Sequence, residues 1–447
     1  MKATPQVLKG MRDFLPARMI LRHFVTDQLR RVFERFGFEP LQTPAIEYAE
    51  TLEGKFGEEA DKLIYKFEDR GSRAVGLRYD LTVPLARVVS MYPDLVKPFK
   101  RYQMAPVWRA ERPQKGRYRE FYQCDVDVVG GQSMVADAEV VTVAYTALRE
   151  LGFTSFRALI NNRKLLQAIA SRFNVADELA PAVWRIVDKW DKIGAENVRT
   201  ELSELGLAAE LIDRMFDLLD LSGSNDEMLD ALSTRLSDIP IGAEGIQELR
   251  DLFNFLALAE VPPQYYHLDL HMVRGLEYYT GPIFEFIVDK PRIGSICGGG
   301  RYDHLIGLLG PAEYPAVGIS LGLERLIDVI DELGMAPAEV RSTVTEVLVT
   351  VFDRERLADS LAVAASLRAT GVNTEVYMEA DKLAHQLRYA SRKNFPLVVI
   401  LGPDEISRGE VVVRNMTTGQ QEQVEHGALL SAIQGELDRA AYAAPTP

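Results

Sequence analysis

Residues 97–124 read KPFKRYQMAPVWRAERPQKGRYREFYQC, and their pattern decides the fold. The stretch carries eight Lys or Arg side chains against Glu111 and Glu120, a local excess of positive charge inside a chain whose net charge is −14. Pro113 and Gly116 punctuate its centre, which predicts a loop joining two antiparallel strands. Side chains alternate along a strand, so Arg101, Gln103, Arg109 and Glu111 are expected on one face of the first strand. Gln123, Asp125 and Asp127 fall together on one face of the second, with Tyr122, Cys124, Val126 and Val128 opposite. One apolar face and one face of arginines, amides and carboxylates is the chemistry of a floor for a charged small molecule. Arg109 and Arg117 have the planar fork that grips phosphate, and Asp127 accepts hydrogen bonds from a cationic or N–H-bearing ligand. The alternative is a surface hairpin of solvated charges. Gln and Asp recurring at alternate positions beside so many arginines favour the binding floor.

The whole chain has 447 residues, enough for about three domains at roughly 150 residues each. Hydrophobic residues at 47% and charged residues at 26% exclude disordered, collagen-like and disulfide-scaffold classes. The acidic balance argues against a generic nucleic-acid coat, which needs a basic surplus, unless local patches override it. Cys124 and Cys297 are too few for a zinc cluster and suit a reducing cytoplasm. Lys2, Lys9, Arg12, Asp13 and Arg18 interrupt the N-terminal stretch, so no export signal is expected. Phe395 to Leu401, the longest apolar run, is far short of the roughly 20 residues of a membrane helix and reads as a buried strand.

Residues 18–36 space Ile20, Leu21, Phe24, Val25, Leu29, Val32, Phe33 and Phe36 as an amphipathic helix, with Gly37 as its stop. Phe38 to Ile46 contains Pro40 and Pro44 and suits an edge strand. Further strands are expected at 99–111, 119–129, 265–272 and 283–288, separated by long insertions, which predicts an antiparallel or mixed sheet. Helical patterns dominate 163–256, at Lys164 to Arg172, Ala182 to Lys189 and Ala208 to Leu221. After a linker, strands at Glu346 to Phe352, Thr374 to Met378 and Leu397 to Leu401 alternate with helices at 354–370 and 381–394. That alternation predicts a small α/β domain with a largely parallel sheet.

Three more segments carry chemistry. Arg274 to Gly281 (RGLEYYTG) offers paired tyrosines for stacking and hydrogen bonding, and Cys297 to Asp303 (CGGGRYD) lets backbone approach a ligand closely. The latter has neither Walker nor dinucleotide glycine spacing. Gly318 to Ile327 (GISLGLERLI) reads as a small-residue strand running into a helix that starts near Arg325, an arginine suited to a triphosphate. His267, Asp269 and His271 would share one face of a continuous strand and imitate a metal site, but five residues of one strand rarely make one. Arg388, Arg392 and Lys393 read as a solvated helix face that also suits an RNA backbone.

Together these segments resemble the histidyl-tRNA synthetase family, class II aminoacyl-tRNA synthetases, over nearly the whole chain. Lys9-Gly10-Met11-Arg12-Asp13-Phe14, Leu77 to Pro84 (LRYDLTVP) and Arg109 to Gln123 look like family signatures. Pro44 sits where the motif 1 proline is expected, Arg109 and Glu111 in motif 2, and Gly322 to Arg325 in motif 3. Arg274 to Gly281 and Gly298 to Asp303 look like the two histidine-specific motifs. Glu277 stands where many relatives have Asp, and Tyr122 to Asp127 looks like the eukaryotic-type subgroup.

The resemblance implies an α+β fold: a class II antiparallel sheet flanked by helices, with a helical insertion and a C-terminal α/β anticodon-binding domain. The expected boundaries are 1–162 and 257–332 for the catalytic domain, 163–256 for the insertion, 333–344 for the linker and 345–440 for the anticodon-binding domain. It implies a cytoplasmic homodimer that joins histidine to ATP as histidyl-adenylate, releases pyrophosphate, and transfers the histidyl group to tRNA(His). Asp80, Thr82 and Gln123 would hold the α-ammonium, Asp127 and Tyr279 the imidazole, with Tyr302 lining that pocket. Arg109 and Arg274 would flank the α-phosphate as catalytic residues. Arg117 and Arg325 would orient the outer phosphates with Mg2+, and Glu111 would meet the adenine or a metal. No protein-only metal site is expected. Two other readings are a synthetase-like regulatory subunit of histidine biosynthesis and a metal-dependent hydrolase built on His267 and His271. Regulatory paralogues typically lack the C-terminal domain and depart at the ATP-binding arginines, and this chain retains both.

Overall fold

The structure is a computed structural model that describes residues 4–54, 62–113, 116–273, 278–337 and 340–442. The chain divides into two compact units, Met1–Arg12 with Val25–Met335, and Asp13–Phe24 with Ala336–Pro447. No helix among the described residues is long and apolar enough to cross a membrane.

The first unit is built on an eight-stranded sheet. In spatial order its strands are β1 (Glu39–Pro40), β5 (Phe99–Trp108), β6 (Glu120–Val129), β11 (Ala316–Gly322), β10 (Ser295–Arg301), β9 (Pro282–Val288), β7 (Phe156–Asn162) and β8 (Tyr266–Leu268). The two outermost pairs are parallel and every pair between them is antiparallel. Pro40 falls on the two-residue edge strand, where a missing N–H breaks no ladder. On one face of the sheet Cys124, Val126 and Val128 of β6 lie beside Leu321, Ile319 and Val317 of β11, each at most 3% exposed. Helix Val135–Glu150 packs against both strands. Burial of each such aliphatic side chain contributes roughly 1.5–3 kcal/mol, which fixes register and so fixes which residues line the other face.

Helix Pro16–Arg35 ends before Gly37, whose φ of +76° only glycine adopts without strain. Val25, Leu29, Val32 and Phe33 are its fully buried stripe, and Phe33 lies 5.8 Å from the Tyr102 ring of β5. A small antiparallel sheet of β2 (Ile46–Tyr48), β4 (Ala74–Leu77) and β3 (Lys66–Glu68) follows. From Arg163 to Leu258 the chain forms helices only, among them Arg163–Arg172, Ala180–Val187, Ala209–Leu219 and Pro240–Leu258. In the 265–272 stretch the strand stops at Leu268. Asp269 accepts hydrogen bonds from the His271 and Met272 amides and bends the chain, so the alternation expected through His271 is absent.

In the second unit β12 (Val347–Val349) pairs in parallel with β13 (Thr374–Val376) and β14 (Leu397–Ile400), between helices Leu357–Ala369 and Leu383–Lys393. The sheet is not largely parallel, because an antiparallel hairpin, β15 (Glu410–Asn415) and β16 (Gln421–Glu425), completes it. β16 reads QEQVE and buries only Val424, so alternation has almost nothing apolar to signal it.

Candidate active site

β5 and β6 pair in the register Arg101–Asp127, Gln103–Asp125 and Ala105–Gln123, so the expected polar face runs across both strands at this end; β5 stops at Trp108 after apolar Ala105 and Val107, so Arg109 and Glu111 follow the strand rather than lie on it. β11 extends it, with Gly318 beside Asp127, Ser320 beside Asp125 and Gly322 beside Gln123. β10 adds Gly300 beside Gly318 and Gly298 beside Ser320. Small residues next to carboxylates leave the floor open, and a cavity of about 600 Å3 stands over it. Gly318 is required: a Cβ there would lie 2.0 Å from Asp127 Oδ1.

Two family-like segments hold the hairpin. Arg78 is buried and donates from Nη1 to the Thr43 and Pro44 carbonyls at 2.7 and 3.2 Å and from Nε to the Pro106 carbonyl at 3.0 Å, tying Pro44 to β5. Gly10 accepts from the Arg119 amide at 2.8 Å and, at φ +92°, lets the Arg119 side chain lie against its backbone. Arg119 in turn donates to the carbonyls of Glu111 and Lys9 at 3.0 and 3.2 Å.

One end of the cavity is acidic. Asp80, two residues before helix Thr82–Met91, accepts from the Val83 amide in its first turn at 3.1 Å through Oδ1. Burial pushes its carboxyl up to about 6, against that amide and the Arg109 and Arg101 charges. Burial likewise pushes Asp125 up to about 7, with Arg101 opposing and Asp127 reinforcing the shift. Asp127 is also raised by burial, while Arg101 and Tyr302 hold it down. Arg101, fully buried, sits 2.8 Å from Asp127 Oδ2 at ion-pair distance but outside hydrogen-bond alignment, and donates to the Leu81 carbonyl at 3.1 Å. The Tyr302 hydroxyl donates to Asp127 Oδ1 at 2.5 Å. Burial raises the Tyr279 hydroxyl to about 12, so it is a proton donor at neutral pH. Gln123 donates to the Ser320 hydroxyl at 2.9 Å. Among the described residues, four buried acceptors here have no aligned donor: Asp80 Oδ2, Gln123 Oε1, Asp125 Oδ1 and Asp127 Oδ2. Each such group costs about 1–3 kcal/mol if left unsatisfied, so the pocket is built for a ligand rich in N–H groups.

The other end is basic. Arg109 donates from Nε to the Tyr79 carbonyl at 3.0 Å, and its guanidinium lies 5.1 Å from the centre of the Phe121 ring. Arg117 is half exposed and 3.9 Å from Glu111. Arg325, in the first turn of helix Leu323–Glu332, donates from Nε to the Gly116 carbonyl at 3.2 Å and from Nη1 to the Ser295 carbonyl. Its neighbour Glu324 accepts from the Tyr122 amide at 2.9 Å.

The expected residues Asp80, Thr82, Gln123, Asp127, Tyr279 and Tyr302 line this cavity, as do Arg109, Glu111, Arg117 and Arg325. Arg274 lies outside the described residues, with Gly275, Leu276 and Glu277. Sequence reasoning did not find the brace behind the tyrosines. Arg301 makes a buried two-pronged ion pair with Asp137, donates to the Gly131 carbonyl at 3.1 Å, and its own carbonyl accepts from the Thr280 amide at 2.8 Å. Asp303 donates from its amide to Thr280 Oγ1 at 3.1 Å, so the two tyrosine-bearing segments are locked together. A basic residue inside the glycine-rich segment was the available signal. His271 stacks on Trp190 at 4.2 Å, and His267 is solvent-exposed on β8. Among the described residues no cluster of three or more His, Cys, Asp or Glu side chains could hold a metal ion.

Comparison with known proteins agrees along the chain. Residues 10–326 match the family model for histidyl-tRNA synthetase, and residues 346–436 match that for an anticodon binding domain. The chain is 41% identical to the histidine–tRNA ligase of Bacteroides fragilis, covering 97% of this chain and 100% of that one. It is 42% identical to the histidine–tRNA ligase of Aeropyrum pernix, covering 96% and 98%. Among solved structures, a histidyl-tRNA synthetase from Nostoc sp. PCC 7120 superposes with a TM-score of 0.86 at 32% identity, covering 97% of this chain and 100% of that one. A Bacillus halodurans structure described as an ATP phosphoribosyltransferase regulatory subunit/histidyl-tRNA synthetase superposes at 0.75 and 25% identity, covering 89% and 99%.

Proposed function

The chain belongs to the histidyl-tRNA synthetase family of aminoacyl-tRNA synthetases, and from that premise we propose which side chains of the cavity carry the reaction. A histidine–tRNA ligase joins the histidine carboxylate to the α-phosphate of ATP, expels pyrophosphate, and passes the histidyl group to the tRNA 3′ end. Asp80, Thr82 and Gln123 receive the α-ammonium. Asp127 accepts from one imidazole nitrogen and Tyr279 donates to the other, while Tyr302 holds Asp127 in place. Two polar partners for two ring nitrogens give the discrimination an apolar pocket cannot.

Arg109, with Arg274, flanks the α-phosphate and stabilises the negative charge that grows as the carboxylate oxygen attacks and the pyrophosphate oxygen leaves. Arg117 and Arg325 orient the outer phosphates, and Glu111 faces the adenine or the metal. The attacking carboxylate is already ionised, so no general base is needed and alignment carries the step. Mg2+ fits as a companion of ATP: it commonly takes one or two carboxylates and completes its shell with phosphates and water, and Glu111 and Glu324 line the basic end. When bound it supplies charge neutralisation on the phosphates.

The C-terminal unit, with exposed Arg388, Arg392 and Lys393 on helix Leu383–Lys393, is proposed to bind the anticodon of tRNA(His). The small sheet exposes Ile46, Tyr48 and Phe67 at 44–51%, an apolar face that suits a homodimer contact beside Pro44. The expected compartment is the cytoplasm, where its substrates meet.

The observation that carries this reading is a single cavity with four donor-less acceptors at one end and three arginines at the other. Its test is ATP–pyrophosphate exchange. Histidine should drive exchange and other amino acids should not, and Asp127→Ala should raise the histidine KM with little change in the ATP KM. A regulatory subunit would show no histidine-dependent exchange at any magnesium concentration.

A further inference from the structure

The roles above leave one buried carboxylate of the cavity unused. Asp125 is 3% exposed and stands midway along β6 between Gln123, proposed for the ammonium end of histidine, and Asp127, proposed for the imidazole end. Gln103 donates to Thr43 Oγ1 at 3.1 Å, and Arg101 is given to Asp127 and the Leu81 carbonyl. Ser320 accepts from Gln123 and hydrogen-bonds Asp125 through its side chain, so one side of that carboxylate is held. Oδ1 of Asp125 is left without a donor.

Counting hydrogen-bond capacity gives it a partner. An ammonium brings three N–H groups, and a neutral imidazole brings one. The four donor-less acceptors match that total: Asp127 Oδ2 serves the ring, and Asp80 Oδ2, Gln123 Oε1 and Asp125 Oδ1 serve the ammonium, with the part-buried Thr82 hydroxyl sharing the N–H directed at Asp80. Charge points the same way. Among the described residues, Arg101 is the buried cation that Asp80, Asp125 and Asp127 all share, with Arg109 adding to Asp80 and buried Arg78 to Asp125 only at longer range. The α-ammonium is the only full positive charge on histidine at neutral pH, and buried charges need a counter-charge more than a dipole.

Resting on the synthetase reading, we propose that Asp125 is a further specificity-determining residue of the amino-acid pocket, taking the third N–H of the substrate ammonium and making the site demand a primary amine. Asp125→Asn keeps shape and removes charge. Histidine KM would be measured by pyrophosphate exchange. Dissociation constants would be measured for L-histidinol, which keeps the ammonium and ring, and for imidazolepropionate, which has the ring and carboxylate without the amine.

The variant should raise the histidine KM and the histidinol Kd about tenfold or more, as expected for a lost charge-assisted bond. It should leave the ATP KM and the imidazolepropionate Kd within about twofold. A histidine KM within that same margin of wild type, or equal weakening of histidinol and imidazolepropionate, would overturn the proposal. Should Asp125→Asn not fold, Asp125→Ser replaces it with the same two outcomes. Failure of the synthetase reading itself is seen separately, as absent exchange in the wild type.

Discussion

Gly318→Ala tests the geometry of the acidic end more sharply than removal of any functional group, because it adds one methyl and deletes nothing. The new Cβ would lie 2.0 Å from Asp127 Oδ1, 2.6 Å from its Cγ and 2.9 Å from the Val126 carbonyl oxygen. Close packing leaves no slack, so the Asp127 carboxylate must retreat by about 1 Å. Retreat breaks the 2.5 Å bond from Tyr302 and disturbs the 2.8 Å ion pair with Arg101. Hydrogen bonds to charged groups are worth about 1.5–3 kcal/mol, and overpacking costs about 1–3 kcal/mol. Displacement of the imidazole acceptor should therefore raise the histidine KM by about 10–100-fold and lower the melting temperature by a few degrees. The ATP KM should stay near wild type, since the arginines lie at the other end. Gly298→Ala is the control, because its Cβ would meet nothing nearer than 3.7 Å and should leave the melting temperature alone. Steady-state exchange kinetics and a thermal melt read both. A Gly318→Ala enzyme with a wild-type histidine KM would refute the claim that this glycine exists to seat Asp127.

Three further outcomes follow from the same geometry. Arg109→Ala should cut kcat for adenylate formation by about 10²–10³ at saturating substrates, as for loss of an oxyanion donor, and rapid-quench measurement of adenylate formation checks it. Arg301→Met should destabilise the protein by about 3–5 kcal/mol, because Asp137 is left buried without its counter-charge; a thermal melt reads this, and Asp137→Asn in the same chain should recover part of the loss. Histidinol binding should tighten as pH rises through about 6 and about 7, the values to which burial lifts Asp80 and Asp125, because only ionised carboxyls attract an ammonium. The linkage sign follows: carboxyls raised above their unfolded values stabilise the unliganded fold below about pH 4, and that contribution is lost as pH rises through the folded values. The thermal shift given by saturating histidinol should accordingly grow between pH 6 and 7.5, and a flat profile would contradict it.

Much of this was legible in residues 97–129 alone. Strand alternation is strict and the hairpin is buried on one side, so the polar face followed from counting by two, and the register then brought Arg101 opposite Asp127. What periodicity cannot convey is which charges neutralise one another. Arg101, Arg109 and Arg301 look alike in sequence, yet Arg101 is sealed behind the floor, Arg109 lines the cavity, and Arg301 braces a loop from beneath. Those differences arise from strand order, in which β11 inserts beside β6 from nearly 200 residues away in the chain. The β15–β16 hairpin was missed for a different reason. A solvated edge strand needs only one buried valine, and backbone pairing with β15 does the rest.

A net charge of −14 and two nucleotide-bearing partners are reconciled by where charge is placed along one strand pair. From Asp127 to Phe121, six residues at roughly 3.3 Å each span about 20 Å, and the sign of the environment reverses over that length. At the Asp127 end the carboxylates outnumber the buried cation, and toward the hairpin loop Arg109, Arg117 and Arg325 are gathered around Glu111 and Glu324. A molecule with a cation at one end and polyphosphate at the other can lie along this axis in one direction only, since reversal would set phosphate against Asp80, Asp125 and Asp127. The proposed reaction needs this polarity: histidine's carboxylate, between its ammonium and the α-phosphate, would fall where the two fields meet. Overall acidity then weakens long-range attraction to polyanions, so affinity for ATP and tRNA must come from these short-range, oriented contacts. The protein's own charge gradient thus favours the one substrate direction that the proposed reaction needs.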